Sequence, residues 1–458
     1  MGGERKPEDP YSAGVSGWNA HRLRLPGRHP DDSTILALAV PALGALAADP
    51  LYSLVDTAFI GHLGTPQLGA LAVGTAAFTA SFWLFSFLAY GVTPRVAAAL
   101  GAGDELSAAQ IGVQALMLAV LLGGAVTIVG VAWAGPIVRF LGARGAVEAF
   151  AETYLRIRIL AAIPVLIAQV GHGWLRGAHD TKTAMLLAVS GAAANVLVGY
   201  LLIFPAGLGI EGAAWAVVIC QGSVAAGFVL TLVRRMMRTE WRWHASTARS
   251  LLRVGAALAI RTGSLLAALT VATSVAARMG EVELASWQIT MQLFLFLALT
   301  LDAVAIAAQA MIGRALGSPT PMRAIGNSAR LMEWGIGLGV VLMVVLLPFA
   351  GAVAGVFTDD PRVAVAATPL IVWLAFLQPL AGAAFTLDGI LIGESDATFL
   401  AASMAASSLL FVGLAIAALE FNWGTAGLAA GVAVWMASRT ATTGVRLLRR
   451  RWVRPVVP

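Results

Sequence analysis

Of the 458 residues, 59% are hydrophobic and only 12% are charged, with a mean hydropathy of +0.83. An ordinary soluble domain carries charge on about a quarter of its residues, so the composition excludes a water-soluble enzyme and requires a membrane protein with many crossings. The formal net charge of +6 admits nucleic acid as a partner until the arginines are located, and the single cysteine, Cys220, excludes an internal disulfide or a cysteine-based metal site.

Residues 1–31 are polar and rich in proline and glycine, and they carry Arg5, Lys6, Arg22, Arg24 and Arg28 without an apolar core. They read as a disordered cytoplasmic tail and not as a cleavable signal. Apolar runs long enough to cross roughly 30 Å of hydrocarbon follow at 34–55, 67–98, 107–133, 148–174, 181–204, 211–233, 249–277, 283–313, 324–348, 364–392, 397–420 and 425–446. The fold class is therefore all-α, with twelve transmembrane helices. The polar stretch 234–248 is the one long break in mid-chain. It separates an N-lobe, 32–233 (helices 1–6), from a C-lobe, 249–446 (helices 7–12), and a basic tail, 447–458, closes the chain.

Alternating the crossings gathers the N-tail, Arg176, Lys182, the run Arg234 to Arg253, Arg314, Arg323, Arg330 and Arg446 to Arg454 on one side. Little beyond Arg139, Arg144, Arg278 and Arg362 lies on the other. The positive-inside rule then puts both termini in the cytoplasm. The basic excess is topological, so nucleic acid is not an expected partner; the bilayer of the plasma or inner membrane is. A shift of 216 residues pairs Gly64 with Gly280, Gly101 with Gly317, Gly177 with Gly393 and Asp180 with Asp396, and a shift of 215 pairs Gly209 with Gly424. This is a parallel six-plus-six repeat, an arrangement that typically holds substrate between lobes that rock around it.

Acids inside apolar helices are expensive and face a partner or a wet cavity. Asp49 precedes Pro50 in the first helix, which also holds Pro41 and Asp56; a bent, cavity-lining helix is expected, because each proline frees a carbonyl. Asp49 lies about 15 residues past Thr34 and Asn195 about 14 past Thr181, which puts both roughly 21–23 Å up their helices. A carboxylate in a low-dielectric cavity can exchange protons near neutrality, so Asp49 is the expected proton carrier, although a role only in capping the backbone at Pro50 competes. Asp56 is expected near the wet outer end, shaping a turn. The repeat partner of Asp49 is Leu265, so the lobes differ chemically. In the C-lobe, Arg261 and Asp302 fall at one depth and can pair, and Asp388 can join them as a cluster for substrate or for gating. Gln169, His172, Gln288, Gln292 and Gln309 are lesser polar candidates, with helix-to-helix hydrogen bonds the commoner role, and Trp83, Trp287, Met291 and Trp373 could form a greasy wall, although each taken singly is expected to pack or to face lipid. The turns 175–183 and 392–396 are explained by capping chemistry. Nucleotide-binding and metalloenzyme motifs are absent; no catalytic residues, metal or cofactor are expected, and energy must come from an ion gradient.

The segments DPLYSLVDTAFIGHLGT (Asp49 to Thr65), LRGAHDTKT (Leu175 to Thr183), LTLDAVAIAAQAMIGRALG (Leu299 to Gly317) and FTLDGILIGESD (Phe385 to Asp396) resemble the multidrug and toxic compound extrusion (MATE) family, in its DinF-like branch. The resemblance spans 34–446. It implies two six-helix bundles around a central cavity, and export coupled to inward movement of H+ or Na+. It also implies a cation site of Asp49 with Asn195 and a C-lobe grouping of Arg261, Asp302 and Asp388. Where some relatives carry an acid, four residues after Asn195, this chain has Gly199, so one carboxylate is expected in that site instead of two. The expected activity is cation-coupled antiport, H+ preferred to Na+, of small amphiphilic or cationic compounds by a monomer. A flippase for lipid-linked or amphiphilic cargo is the alternative, and an intramembrane enzyme built on Ser190 and His172 is a remote one.

Overall fold

The computed structural model describes residues 29–85, 87–236, 239 and 241–449, with side chains at 80–84 left aside. Most of both expected tails, Arg238 and the Trp83 side chain lie outside the described residues. The helices are α1 Pro30–Gly61, α2a Thr65–Phe85, α2b Phe87–Gly101, α3 Glu105–Phe140, α4 Gly145–Gly177 and α5 Thr181–Ile203. They continue as α6 Gly209–Met236, α7 Ala245–Met279, α8 Glu281–Gly317, α9 Arg323–Phe357, α10 Pro361–Gly393, α11 Ala397–Glu420 and α12 Gly424–Leu448. Among the described residues ten helices are long and apolar enough to cross a membrane; α2a with α2b, and α12, complete the twelve. Several helices overrun the expected limits, so the polar link is shorter than 234–248.

Side-chain caps start several of the helices. Asp104 and Asp180 accept the backbone N–H of Ser107 and Thr183 at 2.8 and 3.2 Å and so start α3 and α5. Pro361 starts α10 behind an Asp360 cap. Burial pushes the Asp180 carboxyl up, but hydrogen bonds from Thr183 and Arg235 outweigh it and hold the group below the usual carboxylate range. The expected bend of α1 is not a break: the helix runs from Pro30 to Gly61 through Pro41 and Pro50. The α4 crossing does change form midway, through a 3-10 turn at Ile159–Ala161.

The repeat is visible in the turns and in the packing. His179 and Ser395 take φ of +60° and +62°, and Gly209 and Gly424 take +54° and +60°. Gly173 lies against the carbonyl of Ala89 and Gly389 against that of Ala305; Gly177 meets Thr93 and Val96, and Gly393 meets Gln309 and Ile312. Each of these pairs is related by the shift of 216 or 215 that relates the halves of the sequence. Small residues let helix backbones approach closely in membranes, and the same approach recurs in each lobe between its second and fourth helices.

The lobes meet at the end of the bundle that carries the described termini, the basic end. Ile35, Leu38 and Ala39 of α1 share one core with Ala303, Ala307 and Met311 of α8, and every residue from Ala303 to Gly313 is buried. Toward the opposite end the buried residues form separate cores, one of N-lobe residues such as Ile60, Tyr154 and Ile210 and one of C-lobe residues such as Ala272, Trp287 and Trp435. The lobes are sealed at the basic end and parted at the other.

At the seal, α2b and α8 cross through a reciprocal glycine contact. A Cβ at Gly101 would stand 2.2 Å from the Arg314 carbonyl oxygen, and one at Gly317 would stand 1.9 Å from that of Ala98. We expect Gly317→Val to open the seal, read as faster maleimide labelling of a cysteine at Ala97 in a Cys220→Ser background. Gly326→Val, with nothing within 4 Å, serves as the control, and equal labelling of the two variants contradicts the expectation.

Candidate functional site

In the N-lobe, α1, α4, α5 and α6 surround a cavity of about 70 Å³ lined by Asp49, Tyr52, Gln169, His172, Asn195, Cys220 and Gln221 among others. That is room for several waters beside polar partners. Asp49 and Asn195, expected at one depth, do line the same cavity. Asp49 is exposed there and Asn195 is buried. Gln169 and His172 join them; the His172 ring stands 4.8 Å from that of Phe228, and its Nδ1 has no hydrogen-bond partner. At Gly199 a Cβ would meet only that of Ala216, at 3.8 Å.

Asp56 corrects the sequence expectation. It is 7% exposed and does not shape the wet turn. Asp49, Tyr52 and Asp56 are spaced i, i+3, i+7 and form one stripe of α1. The first half of α4 carries Tyr154 and Arg158, spaced i, i+4. Arg158 stands inside an apolar run, where hydropathy gives no sign of it, and is 6% exposed. Its Nη1 donates to the Tyr154 hydroxyl at 2.7 Å, and its guanidinium lies 4.6 Å above the Phe78 ring. Its charge acts on both Asp49 and Asp56.

In the C-lobe, Arg261 does not pair with Asp302 as expected. Arg261 on α7 and Arg439 on α12 both donate to Oδ2 of Asp388 on α10. All three are largely buried, with side chains 16%, 3% and 4% exposed respectively. Asp302 instead accepts the Tyr90 hydroxyl from α2b at 3.4 Å, a contact between lobes. The charges of Arg261 and of Arg176, a residue expected in a turn but buried, both act on it. Trp287 and Met291 are buried in the C-lobe core and Trp373 packs against it, so they form no greasy cavity wall. Gln288 and Gln292 are exposed and Gln309 is buried.

A further group is not anticipated from the sequence. At the basic end Asp32 of α1 accepts Nε and Nη2 of Arg330 on α9 at 2.7 and 2.8 Å, and Nε1 of Trp334 at 2.8 Å. The repeat-related position to Arg330 is Gln114, whose side chain binds the Arg242 carbonyl and the His244 backbone N–H at 2.6 and 2.9 Å. Each lobe thus clamps the other lobe's leading helix at its start, at the first turn of α1 and at the residues that lead into α7. The turn acids also pair: Asp180 with Arg235 at 2.5 Å and Asp396 with Arg446 at 2.8 Å. Capping explains the first of these acids, whereas Asp396 makes no side-chain cap.

Two six-helix lobes, a cleft closed at one end and ionisable groups in each lobe define a multi-pass membrane transporter. The MatE family model matches residues 41–201 and 261–417, and the chain belongs to that family, the MATE multidrug efflux transporters. It is 33% identical to Protein DETOXIFICATION 44, chloroplastic, of Arabidopsis thaliana over 435 residues, covering 90% of this chain and 81% of the relative. It is 29% identical to the DNA damage-inducible protein F of Escherichia coli, covering 92% and 93%, in keeping with the DinF-like resemblance. A solved structure titled "Crystal structure of MATE in the bent conformation" superposes with a TM-score of 0.85 at 22% identity over 92% of this chain and 96% of that one. Another, described as an outward-facing conformation of a multidrug resistance MATE family transporter, gives 0.83 at 22% identity, over 91% and 95%. Membership places the chain among transporters that extrude small compounds, a role that is not enzymatic.

Proposed function

We propose that this protein is a proton-coupled antiporter that exports small amphiphilic or cationic compounds by alternating access, as a monomer in the cell's plasma or inner membrane. The observation that carries this reading is Asp49: a carboxylate lining a polar cavity inside the N-lobe, on a helix that also forms the seal between lobes. Intramembrane acids of this kind mark ion pathways. With the basic end in the cytoplasm, as the positive-inside rule requires, the parted end faces outward, where a proton enters and cargo leaves. Protonation of Asp49 would then bias which lobe arrangement is populated, by no more than the proton's differential affinity for the two.

The test is transport in proteoliposomes, with a fluorescent organic cation as cargo and either a pH gradient or a sodium gradient as the drive. We expect the pH gradient alone to drive uptake against the cargo gradient, and Asp49→Asn to lower the rate about a hundredfold or more while circular dichroism and monodispersity stay unchanged, the scale seen when an essential proton-transfer group is lost. Wild-type transport by Asp49→Asn defeats the reading.

A further inference from the structure

At the basic end α2b also meets α7 across the lobes, and three successive contacts fix how they cross. A Cβ at Gly255 would stand 2.4 Å from the Phe87 ring, and one at Gly91 would stand 3.7 Å from Val254 Cγ1. Arg95 Nη2 then donates to the backbone carbonyl and the Oγ of Ser250, at 3.2 and 2.8 Å. Positions rise along α2b and fall along α7, as in an antiparallel crossing, and Leu251 and Leu258 of α7 share a core with Leu88 and Val96 of α2b. Arg95 is thus a half-buried charge at a lobe junction, and among the described residues it has no carboxylate partner. The next acids along the chain, Asp104 and Glu105, start α3, and Asp104 is taken by Ser107.

The facing helix adds positive charge. Arg253 follows Ser250 by three residues and Arg249 by four, spacings that make neighbours on a helix surface; both are exposed, and neither forms an ion pair among the described residues. Leu252, Ala256 and Ile260 continue the same strip and are exposed as well, so one face of α7 is basic at its start and apolar beyond. The 35 residues of α7 span about 52 Å against roughly 30 Å of hydrocarbon, which leaves about 11 Å projecting at each end. Ser250, about 7–8 Å from the helix start, therefore falls at the level of the lipid headgroups. Trp241 and Trp243, 48% and 46% exposed in the link before α7, are the aromatic anchors expected of that layer.

We propose that this seam binds the phosphate of an acidic phospholipid, held by Arg95 of the N-lobe and by Arg249 and Arg253 of the C-lobe, and that the lipid bridges the lobes and strengthens the seal. A guanidinium has five donors, of which Arg95 commits only Nη2 to the described residues, and its fork matches a phosphate. Basic pockets between helices at this level recognise anionic headgroups. Sorting by topology accounts for exposed arginines; it does not account for a half-buried one that a serine of the other lobe holds in place. The occupant is a lipid and not soluble phosphate because the charged strip runs directly into the apolar face at Ala256 and Ile260, where acyl chains lie.

For the test, the full-length protein in detergent is titrated with phosphatidylglycerol, with phosphatidylcholine of the same chains and with inorganic phosphate, following the thermal midpoint and, by native mass spectrometry, the lipid retained. Phosphatidylglycerol should raise the midpoint saturably, and the other two should not. Arg95→Gln and Arg253→Gln should each weaken phosphatidylglycerol about tenfold or more, the scale of a hydrogen bond to a charged group. Arg323→Gln, which removes an exposed arginine of α9 at the same end, should stay close to wild type. Phosphatidylglycerol should also slow maleimide labelling at Ala97→Cys in a Cys220→Ser background, and Arg253→Gln, which keeps the Arg95 contact with Ser250, should abolish that effect.

Equal stabilisation by phosphatidylcholine, or an equal loss with Arg323→Gln, overturns the proposal, since either means a general surface effect. A response to inorganic phosphate as large as that to the lipid overturns the lipid as occupant, and labelling that ignores the lipid overturns the bridge. The comparison of the two lipids on wild type decides the matter even if Arg95→Gln does not fold.

Discussion

Asp388→Ala is expected to destabilise the C-lobe by about 3–5 kcal/mol, the scale of loss when a buried ion pair is left with one partner. Asp388 is the shared acceptor of Arg261 and Arg439, and all three are largely shielded from solvent. Removing the acid leaves an uncompensated charge in low dielectric, and at this site it leaves two guanidiniums facing each other. Arg439→Met in the same background should recover part of the loss, because it removes one of the stranded charges and keeps the volume. The measurement is the midpoint of thermal unfolding in detergent for the two single variants and the double. If Asp388→Ala unfolds within a degree of wild type, the three residues do not form a closed charge group.

The second large effect is expected at the basic end. Asp32→Ala removes the acceptor of two Arg330 donors and of the Trp334 indole, and with it a cross-lobe contact that must break whenever this end opens. Truncating one partner of a buried, hydrogen-bonded charge pair costs about 2–5 kcal/mol, so the population sealed at the basic end should fall about thirtyfold or more relative to the open one. Distances between spin labels on α1 and α9 read that population directly. A double-mutant cycle with Arg330→Ala isolates the pair from the apolar seal around Ile35 and Met311. Additive effects in that cycle would mean that the clamp contributes nothing to the balance.

The twelve crossings, the six-plus-six repeat and the shared depth that brings Asp49 and Asn195 to one cavity are legible in the chain, because hydropathy, glycine spacing and helical rise act along one dimension. Arg158 and Arg439 are equally legible in principle: each is an intramembrane charge by the same rule that singles out Asp49. Both sit in apolar runs whose overall hydropathy absorbs them, and arginines sorted by loop report only topology. What the chain does not reveal is which partner each charge selects. Arg261 and Asp302 share a depth, yet Asp388 takes the arginine, because α10 packs between α8 and α12 and presents its carboxylate to both Arg261 and Arg439. Asp302 is left to a tyrosine of the opposite lobe. Arg176, Arg330 and Asp32 lie near helix ends, where sequence does not separate a solvated charge from a buried interface. Distance along the helix alone assigns Asp56 to water, and its burial overrides that.

Gly199 makes the charge of the N-lobe adjustable. Unlike the glycines of the seal, it is not held to its identity by a close backbone approach; the nearest atom to an added Cβ would be at ordinary van der Waals distance, and its φ lies outside the left-handed region. A side chain can therefore begin one helical turn from Asn195 without its Cβ pressing on a neighbour, and an acid is the residue that some relatives carry there. With Asp49 as the proposed proton carrier, that change adds a second titratable group to the same lobe, and so alters the number of charges that cross the membrane with each molecule exported. The electrical character of the cycle, and with it the share of the membrane potential available to drive export, then depends on the occupant of one vacant socket.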